Sequence, residues 1–454
     1  MMDNSLLSFL RRRVGSPDAL KILVRGAGTV LLVQGIGNAI GYIGQILMAR
    51  WLGVAEYGDY TFLVTWAQVL SIVAMMGLDF AIVRFIPEYS ELHGWGHLRG
   101  ILAWSRRLVL GVGAALAVLS ATVLLAARPV HAETAAVLLG SLLILLFAFS
   151  EIQTQMIRCT RRMAWAYGPP IVLLPLLLVG FAYAFLRGRG ELTDGRALAA
   201  MALALGLIIA VQFVVIHRSF ASSIRDHPAA FDGRRWISVS LPLLFNSIFS
   251  VIVLRVDTLV VGFFLGSEEV GIYGAAVKTA TMVGIAFLAA NTIVGPMIAA
   301  HYARRDMAAL QNFVSLATLG SFAASLVIGA AMALFHRPLL ATFGPAFSQA
   351  ALPLLILIAG QLVNVGAGSV GLLMVLTGHE RQSMLVLGAC ALITSGLCFL
   401  LIPLFGIVGA AAASSLGLSI WNIWTHRLVV RQLRIRPSIF FAVETILLGR
   451  KTRA

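Results

Sequence analysis

The nine residues LGVAEYGDY, from Leu52 to Tyr60, recur later in the chain as LGSEEVGIY, from Leu265 to Tyr273. Five of the nine positions are identical, and the shift between the copies is a constant 213 residues. Each copy follows an apolar segment long enough to cross a bilayer and precedes another, so each joins one predicted membrane helix to the next. The spacing predicts two related halves within one membrane protein.

A polar stripe in each half supports the same repeat. Three polar residues with spacings of four and seven precede each copy, and residues at these spacings share one face of a helix. The stripes are Gln34, Asn38 and Gln45 in the first half and Asn246, Ser250 and Asp257 in the second. Because six predicted spans separate the copies, we expect parallel repeats about an axis along the membrane normal, with the substrate path at their interface.

Composition places the chain in a membrane. Apolar residues make up 59% of the 454 positions and charged residues 12%, about half the charged share of a soluble domain. We predict an all-α integral membrane protein with about twelve transmembrane helices in two six-helix bundles around a central cavity. The predicted spans are 22–49, 59–86, 101–126, 133–157, 165–186, 197–217, 238–265, 272–299, 313–335, 350–376, 383–403 and 407–427.

Basic residues set the predicted orientation. They are concentrated in alternate loops, and the positive-inside rule then places both termini in the cytoplasm of a bacterial inner membrane. The basic groups are Arg158, Arg161 and Arg162, then Arg218, Arg225, Arg234 and Arg235, and the tail from Arg427 to Arg453. The predicted organisation is a cytoplasmic segment 1–21, a bundle 22–217, a cytoplasmic linker 218–237, a bundle 238–427 and a basic tail 428–454.

Several classes of function lack support in the sequence. The net charge of +15 comes from the ends of apolar segments and not from a basic stripe with interleaved aromatic residues, so nucleic acid is not an expected partner. Cys159, Cys390 and Cys398 form no CxxC pair, and we predict no metal site and no cofactor. The sequence has no catalytic triad, no GxxxxGK[ST] loop and no large extramembrane segment, so we expect transport and not enzymatic catalysis.

Arg255 and Lys278 are the basic residues expected to lie deepest in the membrane. At 1.5 Å per residue they stand about 15 Å and about 9 Å from the external ends of their spans. A charge at the bilayer centre costs about 2.5–3.5 kcal/mol, so it normally faces water or a partner. Asp257, about 12 Å deep, suggests an ion pair with Lys278. Arg255 then needs another partner, which is either a substrate phosphate or one of Glu151, Asp79 and a backbone carbonyl.

Four further charged residues are candidates. Arg25 and Arg84 lie near cytoplasmic ends of their spans, where long side chains reach water, and Arg84 is one turn from Glu88. Asp79 and Glu151 lie near the cytoplasmic ends of spans two and four. Together with the deeper aspartate, they are candidate coupling groups for H⁺ or Na⁺, with interfacial solvation as the simpler role for the two near the interface.

Three stretches resemble one family of membrane proteins. They are VQGIGNAIGYIGQILMARWLGVAEYGDYTF from Val33 to Phe62, GLDFAIVRFIPEY from Gly77 to Tyr89, and RVDTLVVGFFLGSEEVGIYGAAVK over 255–278. In these stretches the chain resembles bacterial oligosaccharide flippases of the Wzx type.

The resemblance implies the fold of the multidrug/oligosaccharidyl-lipid/polysaccharide exporter (MOP) superfamily, in which two six-helix bundles form a V and give alternating access. The implied substrate is undecaprenyl pyrophosphate bearing an oligosaccharide, moved to the external leaflet for O-antigen, capsule or exopolysaccharide assembly. Such proteins are thought to use a cationic cavity, and we assign that role to Arg255 and Lys278, then to Arg25 and Arg84. Membrane lipids, a coupling ion and the polysaccharide polymerase machinery are the other expected partners.

Two alternatives stay open. A drug or metabolite antiporter of the same superfamily would favour acidic cavity residues for a cationic substrate, whereas the deep charges here are mostly basic. A membrane-embedded glycosyltransferase or polymerase would need a cluster of catalytic carboxylates and usually a large external loop, and the sequence has neither.

Overall fold

The computed structural model describes residues 17–160 and 162–444, with side chains described from Val33 onward apart from Arg189. These residues are almost entirely helical, and no strand occurs among them. The helices are α1 Pro17–Leu52, α2 Val54–Ala74, α3 Leu78–Glu91, α4 Trp95–Ala127, α5 Thr134–Cys159, α6 Met163–Gly168, α7 Leu174–Arg189, α8 Asp194–Ile224, α9 Gly233–Leu265, α10 Ser267–Thr281, α11 Ile285–Ala303, α12 Met307–Leu334, α13 His336–Ala341, α14 Ala351–Gly366, α15 Val370–Leu376, α16 Glu380–Leu433 and α17 Ile439–Ala442. A π-helix, Pro169–Leu173, joins α6 to α7, and 3₁₀ turns precede α11 and α14.

The helices match the predicted membrane segments in position. Within the described ranges, nine helical stretches are long and apolar enough to cross a membrane, with α6–α7 and α10–α11 each taken as one and α14 taken with its 3₁₀ turn; the number is ten if α2 and α3 form one span bent by 47°. The all-helical, multi-pass membrane fold is therefore confirmed. The count of twelve crossings stays a prediction, and so do the boundaries of the two bundles.

The long helix α16 is a hairpin of two arms. Gly406 has φ 59° and ψ −141°, a conformation that glycine adopts without steric cost. Gly417 on the second arm packs directly against Thr394 on the first. The arms therefore run antiparallel, and they correspond to the predicted spans 383–403 and 407–427.

A π-helix interrupts the fifth predicted span. Pro169 and Pro170 have no N–H groups, so the regular helical ladder cannot form there. The N–H of Leu174 donates to the carbonyl of Pro169, five residues back, as in a π-helix. The widened turn packs closely on α1, where a side chain at Gly37 would overlap Ile171.

The repeated nonapeptides pack against each other. Gly53 and Gly266 stand at equivalent positions, with φ of 75° and 87° and extended ψ, and each precedes the first residue of its helix, α2 or α10. A positive φ favours glycine, which explains why both copies carry one at this position. The two copies therefore share one local structure as well as five identical residues.

The contacts between the copies are reciprocal. A Cβ at Gly58 would overlap the carbonyl oxygen of Ser267, and a Cβ at Gly271 would overlap the carbonyl oxygen of Val54. A shift of 213 residues takes Val54 to Ser267 and Gly58 to Gly271, so the two contacts are equivalent. Such reciprocity is what a two-fold axis between α2 and α10 produces. We name this contact the α2–α10 crossing.

The connection between the halves is short. α8 ends at Ile224 and α9 begins at Gly233, so much of the predicted linker is helical. The Asp232 side chain accepts a hydrogen bond from the N–H of Arg235 and caps α9. Trp236, fully buried, then packs against the first half and donates to the hydroxyl oxygen of Tyr89 at 3.0 Å.

Candidate functional site

Three adjoining cavities contain most of the predicted site residues. The α3–α9 cavity, about 540 Å³, and the α1–α10 cavity, about 320 Å³, have walls from both halves of the chain. The α9–α16 cavity, about 190 Å³, lies between them and is lined by the second half. Arg255 lines both the α3–α9 and the α9–α16 cavities, and Thr281 lines both the α9–α16 and the α1–α10 cavities.

Arg255 and Lys278 face these cavities without an anionic partner. Lys278 lines the α1–α10 cavity, at the opposite end of the series from the α3–α9 cavity. Neither charged group forms a hydrogen bond or an ion pair with any residue that the structure describes. Arg255 is within electrostatic range of both Asp257 and Lys278. The N–H donors of both cations are therefore open to an anionic ligand.

Asp257 is held by hydroxyl and amide donors, and not by Lys278. Its Oδ2 accepts hydrogen bonds from the hydroxyls of Tyr273 and Ser414, both at 2.6 Å. Its Oδ1 accepts one from the N–H of Thr258 at 2.7 Å. The predicted ion pair between Asp257 and Lys278 is therefore wrong for this structure. The carboxylate instead ties α9 to α10 and to the second arm of α16.

Asp79 and Glu151 line the α3–α9 cavity together with Arg255. Asp79 lies in the first turn of α3, where the helix dipole favours a carboxylate. One of its oxygens is buried without a hydrogen-bond partner in the described structure. Glu151 accepts a hydrogen bond from Gln155 Nε2 at 2.7 Å. Neither acid pairs with Arg255, so the cavity contains separate acidic and basic groups.

The two polar stripes divide between the cavities. Asn38 and Gln45 line the α1–α10 cavity, and Asn246 and Ser250 line the α3–α9 cavity. Gln34 is half-buried, stands one turn before Asn38 on α1 and lines none of these three cavities.

Arg84 does not belong to the cavities. Its side chain is exposed and stacks over the Phe85 ring at 5.6 Å. Glu88, expected as its partner, instead pairs with Arg235 at 2.9 Å. Arg84 and Glu88 lie one turn apart on the same helix, but the carboxylate of Glu88 is bound by Arg235 from α9. Arg25 lies outside the residues whose side chains the structure describes.

The comparison with family models decides the wider class. Residues 23–302, more than half of the chain, match the model of a family described as "Polysaccharide biosynthesis protein". The chain belongs to the polysaccharide biosynthesis protein family. Arg255 and Lys278 both lie inside the matched region. A comparison with curated proteins finds no match.

Similarity to solved structures identifies the fold of this polysaccharide biosynthesis protein. The lipid II flippase MurJ in an inward closed conformation matches with a TM-score of 0.71 and 14% identity, over 94% of this chain and 93% of that one. An inward-facing multidrug resistance MATE transporter matches at 0.70 and 15%, over 90% and 99%. A MOP superfamily transporter from Pyrococcus furiosus, described with a binding pocket of reversed polarity, matches at 0.57 and 14%, over 93% and 100%. The chain has the MOP superfamily transporter fold.

Sequence reasoning missed several residues of the site in this polysaccharide biosynthesis protein. Tyr273 and Ser414 hold Asp257, yet they are 16 and 157 residues away from it along the chain. Tyr273 belongs to the repeated nonapeptide, but the repeat does not indicate that its hydroxyl binds Asp257. Ser414 lies in the small-residue run AAAASS, where a polar pair inside an apolar span was the available signal. Gln361 also lines the α9–α16 cavity and carried no sequence signal.

The arrangement combines unpaired cations with amide and hydroxyl groups. Two cations and several amide and hydroxyl groups are distributed over adjoining cavities near the contact between the halves. Among the described residues, no group of three or more His, Cys, Asp or Glu is placed to hold a metal ion. Arg255 and Lys278 line these cavities with their charged groups unpaired in the described structure.

Proposed function

We propose that this protein is a flippase that carries an undecaprenyl-pyrophosphate-linked oligosaccharide across the bacterial inner membrane by alternating access. The glycan would then enter surface polysaccharide or exopolysaccharide assembly. Membership of the polysaccharide biosynthesis protein family supports this class of cargo. The MOP superfamily fold supports the transport mechanism.

The observation that carries the proposal is the pair of unpartnered cations. Arg255 and Lys278 lie in membrane-spanning helices, where an uncompensated charge is costly. A pyrophosphate supplies the missing anion, because its oxygens accept two hydrogen bonds from a guanidinium and a further one from an ammonium group. The cost of burying the two charges is then offset when the substrate is bound.

Alternating access needs one end of the path to close while the other opens. The α2–α10 crossing closes one end through contact of backbone on backbone. With both termini in the cytoplasm, that end is the external one, since α2 and α10 both begin there. The structure then corresponds to a state closed toward the outside, with the α3–α9 cavity on the cytoplasmic side of the crossing.

Substitution of the two cations tests the proposal. A charge-assisted hydrogen bond is worth about 1.5–3 kcal/mol, so Arg255→Ala should weaken substrate binding roughly tenfold to hundredfold. We expect loss of surface polymer and accumulation of the lipid-linked glycan in the inner leaflet, with unchanged protein abundance in the membrane. Lys278→Ala should behave in the same way, and Lys278→Arg should retain polymer.

The matched control is Arg381→Ala. Arg381 is an exposed arginine at the start of α16, away from the three cavities, so its loss removes the same charge without touching the site. Normal polymer from Arg255→Ala and Lys278→Ala, at normal abundance, would remove both cations from the mechanism and end the proposal.

A second candidate is a drug or metabolite antiporter, favoured by Asp79 and Glu151 in the α3–α9 cavity. Carboxylates there would bind a cationic substrate in place of a phosphate. Under this alternative Asp79→Asn and Glu151→Gln would abolish resistance to cationic drugs and leave the surface polymer intact. Under the flippase proposal, drug resistance is independent of the protein.

The energy source is part of the proposal. We propose that H⁺ or Na⁺ drives the cycle through one of the three acidic residues Asp79, Glu151 and Asp257. Each charge that crosses gains about 2.3 kcal/mol per 100 mV of membrane potential. In proteoliposomes, transport driven by a pH gradient alone, by a sodium gradient alone or by potential alone separates these sources. Equal transport without any gradient would show that no ion is coupled.

A further inference from the structure

An amphipathic groove lies away from the three cavities, between α6 and α8. It has a volume of about 370 Å³. Two arginines and a tryptophan, Arg162, Trp165 and Arg218, line it together with an apolar wall. That wall consists of Ala210, Val211, Val214 and Val215.

The two arginines of this α6–α8 groove have no partner. Neither guanidinium forms a hydrogen bond or an ion pair within the part of the chain that the structure describes. The neighbouring Arg158 is different, because it donates to Gln155 Oε1 at 2.6 Å and stacks over a tyrosine ring. Among the described lining residues of the groove, none is acidic. The groove therefore has uncompensated positive charge.

Charge and apolar surface are arranged by depth. α6 begins and α8 ends on the same side of the membrane, because α7 and α8 are joined at the other side. Arg162 directly precedes α6, and Arg218 is six residues before the end of α8, about 9 Å along the helix. The apolar wall lies further in, from Val215 to Ala210. Trp165 is 51% exposed at the mouth, where indole rings favour the level of lipid headgroups.

We propose that the α6–α8 groove is a binding site for an anionic phospholipid of the surrounding bilayer. The phosphate is held between Arg162 and Arg218, Trp165 packs at headgroup level, and an acyl chain lies along the apolar wall of α8. This site is separate from the cavities at Arg255 and Lys278, and it does not depend on the function proposed above.

A membrane lipid fits these features better than a soluble anion. A free phosphate would use the two arginines and leave the apolar wall without a ligand. A zwitterionic phospholipid would place a positive group beside the two arginines, and its repulsion would offset the attraction between the guanidinium groups and the phosphate. An anionic phospholipid uses the charge, the wall and the interfacial ring together.

Native mass spectrometry of the full chain, purified with either phosphatidylglycerol or phosphatidylcholine, tests the site. We expect selective retention of phosphatidylglycerol. Each arginine near an anionic membrane surface adds to the free energy of lipid binding. Arg162→Gln and Arg218→Gln should therefore each weaken retention of phosphatidylglycerol roughly fivefold. Arg162→Lys and Arg218→Lys keep the charge and should retain most of the binding, which separates loss of charge from loss of folding.

Arg381→Gln is the matched control, since it removes one exposed arginine on the same side and outside the groove. It should leave retention unchanged. Equal retention of phosphatidylglycerol by the double glutamine variant would overturn the proposal, as would equal retention of phosphatidylcholine. Displacement of the lipid by inorganic phosphate at similar concentration, or by a polyprenyl phosphate in strong preference, would also overturn it by identifying a different ligand.

Discussion

Asp257 shows how one buried carboxylate organises the second half. Its Oδ2 accepts from two hydroxyls and its Oδ1 accepts from a backbone amide. Asp257→Asn replaces one acceptor oxygen with an NH₂ group, so at least one buried donor loses its acceptor. We expect the free energy of unfolding to fall by about 1–3 kcal/mol. The apparent Tm in detergent measures this.

Tyr273→Phe is the comparison for that prediction. It removes one donor and leaves the carboxylate bound by Ser414 and Thr258, so we expect a smaller loss of stability than with Asp257→Asn. Each single variant and the double variant together form a mutant cycle that measures the coupling. An unchanged apparent Tm for Asp257→Asn would mean that the network does not stabilise the fold.

Arg84 provides a second prediction at the level of one side chain. It is exposed, outside the cavities, and stacked over Phe85. We expect Arg84→Ala to keep normal polymer and to change stability by less than about 0.5 kcal/mol, as surface substitutions usually do. Polymer quantified beside the Arg255→Ala variant checks this. Loss of polymer from Arg84→Ala would place this arginine back on the substrate path.

Sequence alone found most of the side chains at the site and few of their partners. Helical spacing indicated that Asn246, Ser250 and Asp257 would share one face, because such spacing depends on one helix only, and depth in the membrane singled out Arg255. The partners of Asp257 depend on how three helices pack, and no pattern along the chain records that. The expected pairing of Arg84 with Glu88 is wrong for a related reason, since the partner that Glu88 binds, Arg235, comes from α9 and no spacing within α3 indicates it.

At the scale of elements, the two glycines of the α2–α10 crossing permit contact that no other residue allows. A methyl group at Gly58 would overlap the carbonyl oxygen of Ser267, and that backbone cannot move alone. We expect Gly58→Ala to force α2 and α10 apart and to lower stability by about 1–3 kcal/mol, as overpacking does. The apparent Tm measures it.

Gly180→Ala is the matched control for this substitution. Gly180 lies in α7 with nothing within 4 Å of the added methyl group. Alanine in a helix interior is favoured over glycine by about 0.5–1 kcal/mol, so the sign should be opposite. If both variants shift the Tm in the same direction and by the same amount, close packing at the crossing is not the cause.

Helices were predictable from sequence where a single pattern, such as a long apolar run or the repeat, determined them. Long apolar runs fixed the helical segments, and the repeat fixed where equivalent helices begin. The sequence predicts span 350–376 as one helix, whereas the structure breaks it between α14 and α15. Gly368 has φ 78° at the break and lies against the backbone of Pro437, a contact distant along the chain that no local pattern indicates. Gly37 and Gly41, four residues apart on α1, also differ in their surroundings: a side chain at Gly37 would overlap Ile171, whereas Gly41 has open space and lines the α1–α10 cavity.

At the scale of the whole molecule, the two-fold relation was accessible from sequence because both halves keep the same short motif. The shape of the cavities was not, since it depends on the conformation in which the halves meet. The acidic and basic groups of the α3–α9 cavity come from α3, α5 and α9. Their proximity follows from a single arrangement of these helices and would change if the crossing opened.

A disulfide across the crossing tests whether it must open for transport. A Cβ at Gly274 would lie 3.8 Å from the Cβ of Thr61, its equivalent under the repeat. This separation is the mean for disulfides, so Thr61→Cys with Gly274→Cys should cross-link under oxidation. Under the flippase proposal we expect the cross-linked protein to stop transport in proteoliposomes and to recover it after reduction.

The single variants Thr61→Cys and Gly274→Cys, oxidised in the same way, are the controls, since each keeps the native Cys159, Cys390 and Cys398 and lacks the partner thiol. Both should transport normally. Cross-linked protein that transports at the full rate would mean that the substrate passes without separation of α2 from α10. The reciprocal contact would then be a permanent joint between the halves, and the closing end of the path would have to lie among other helices.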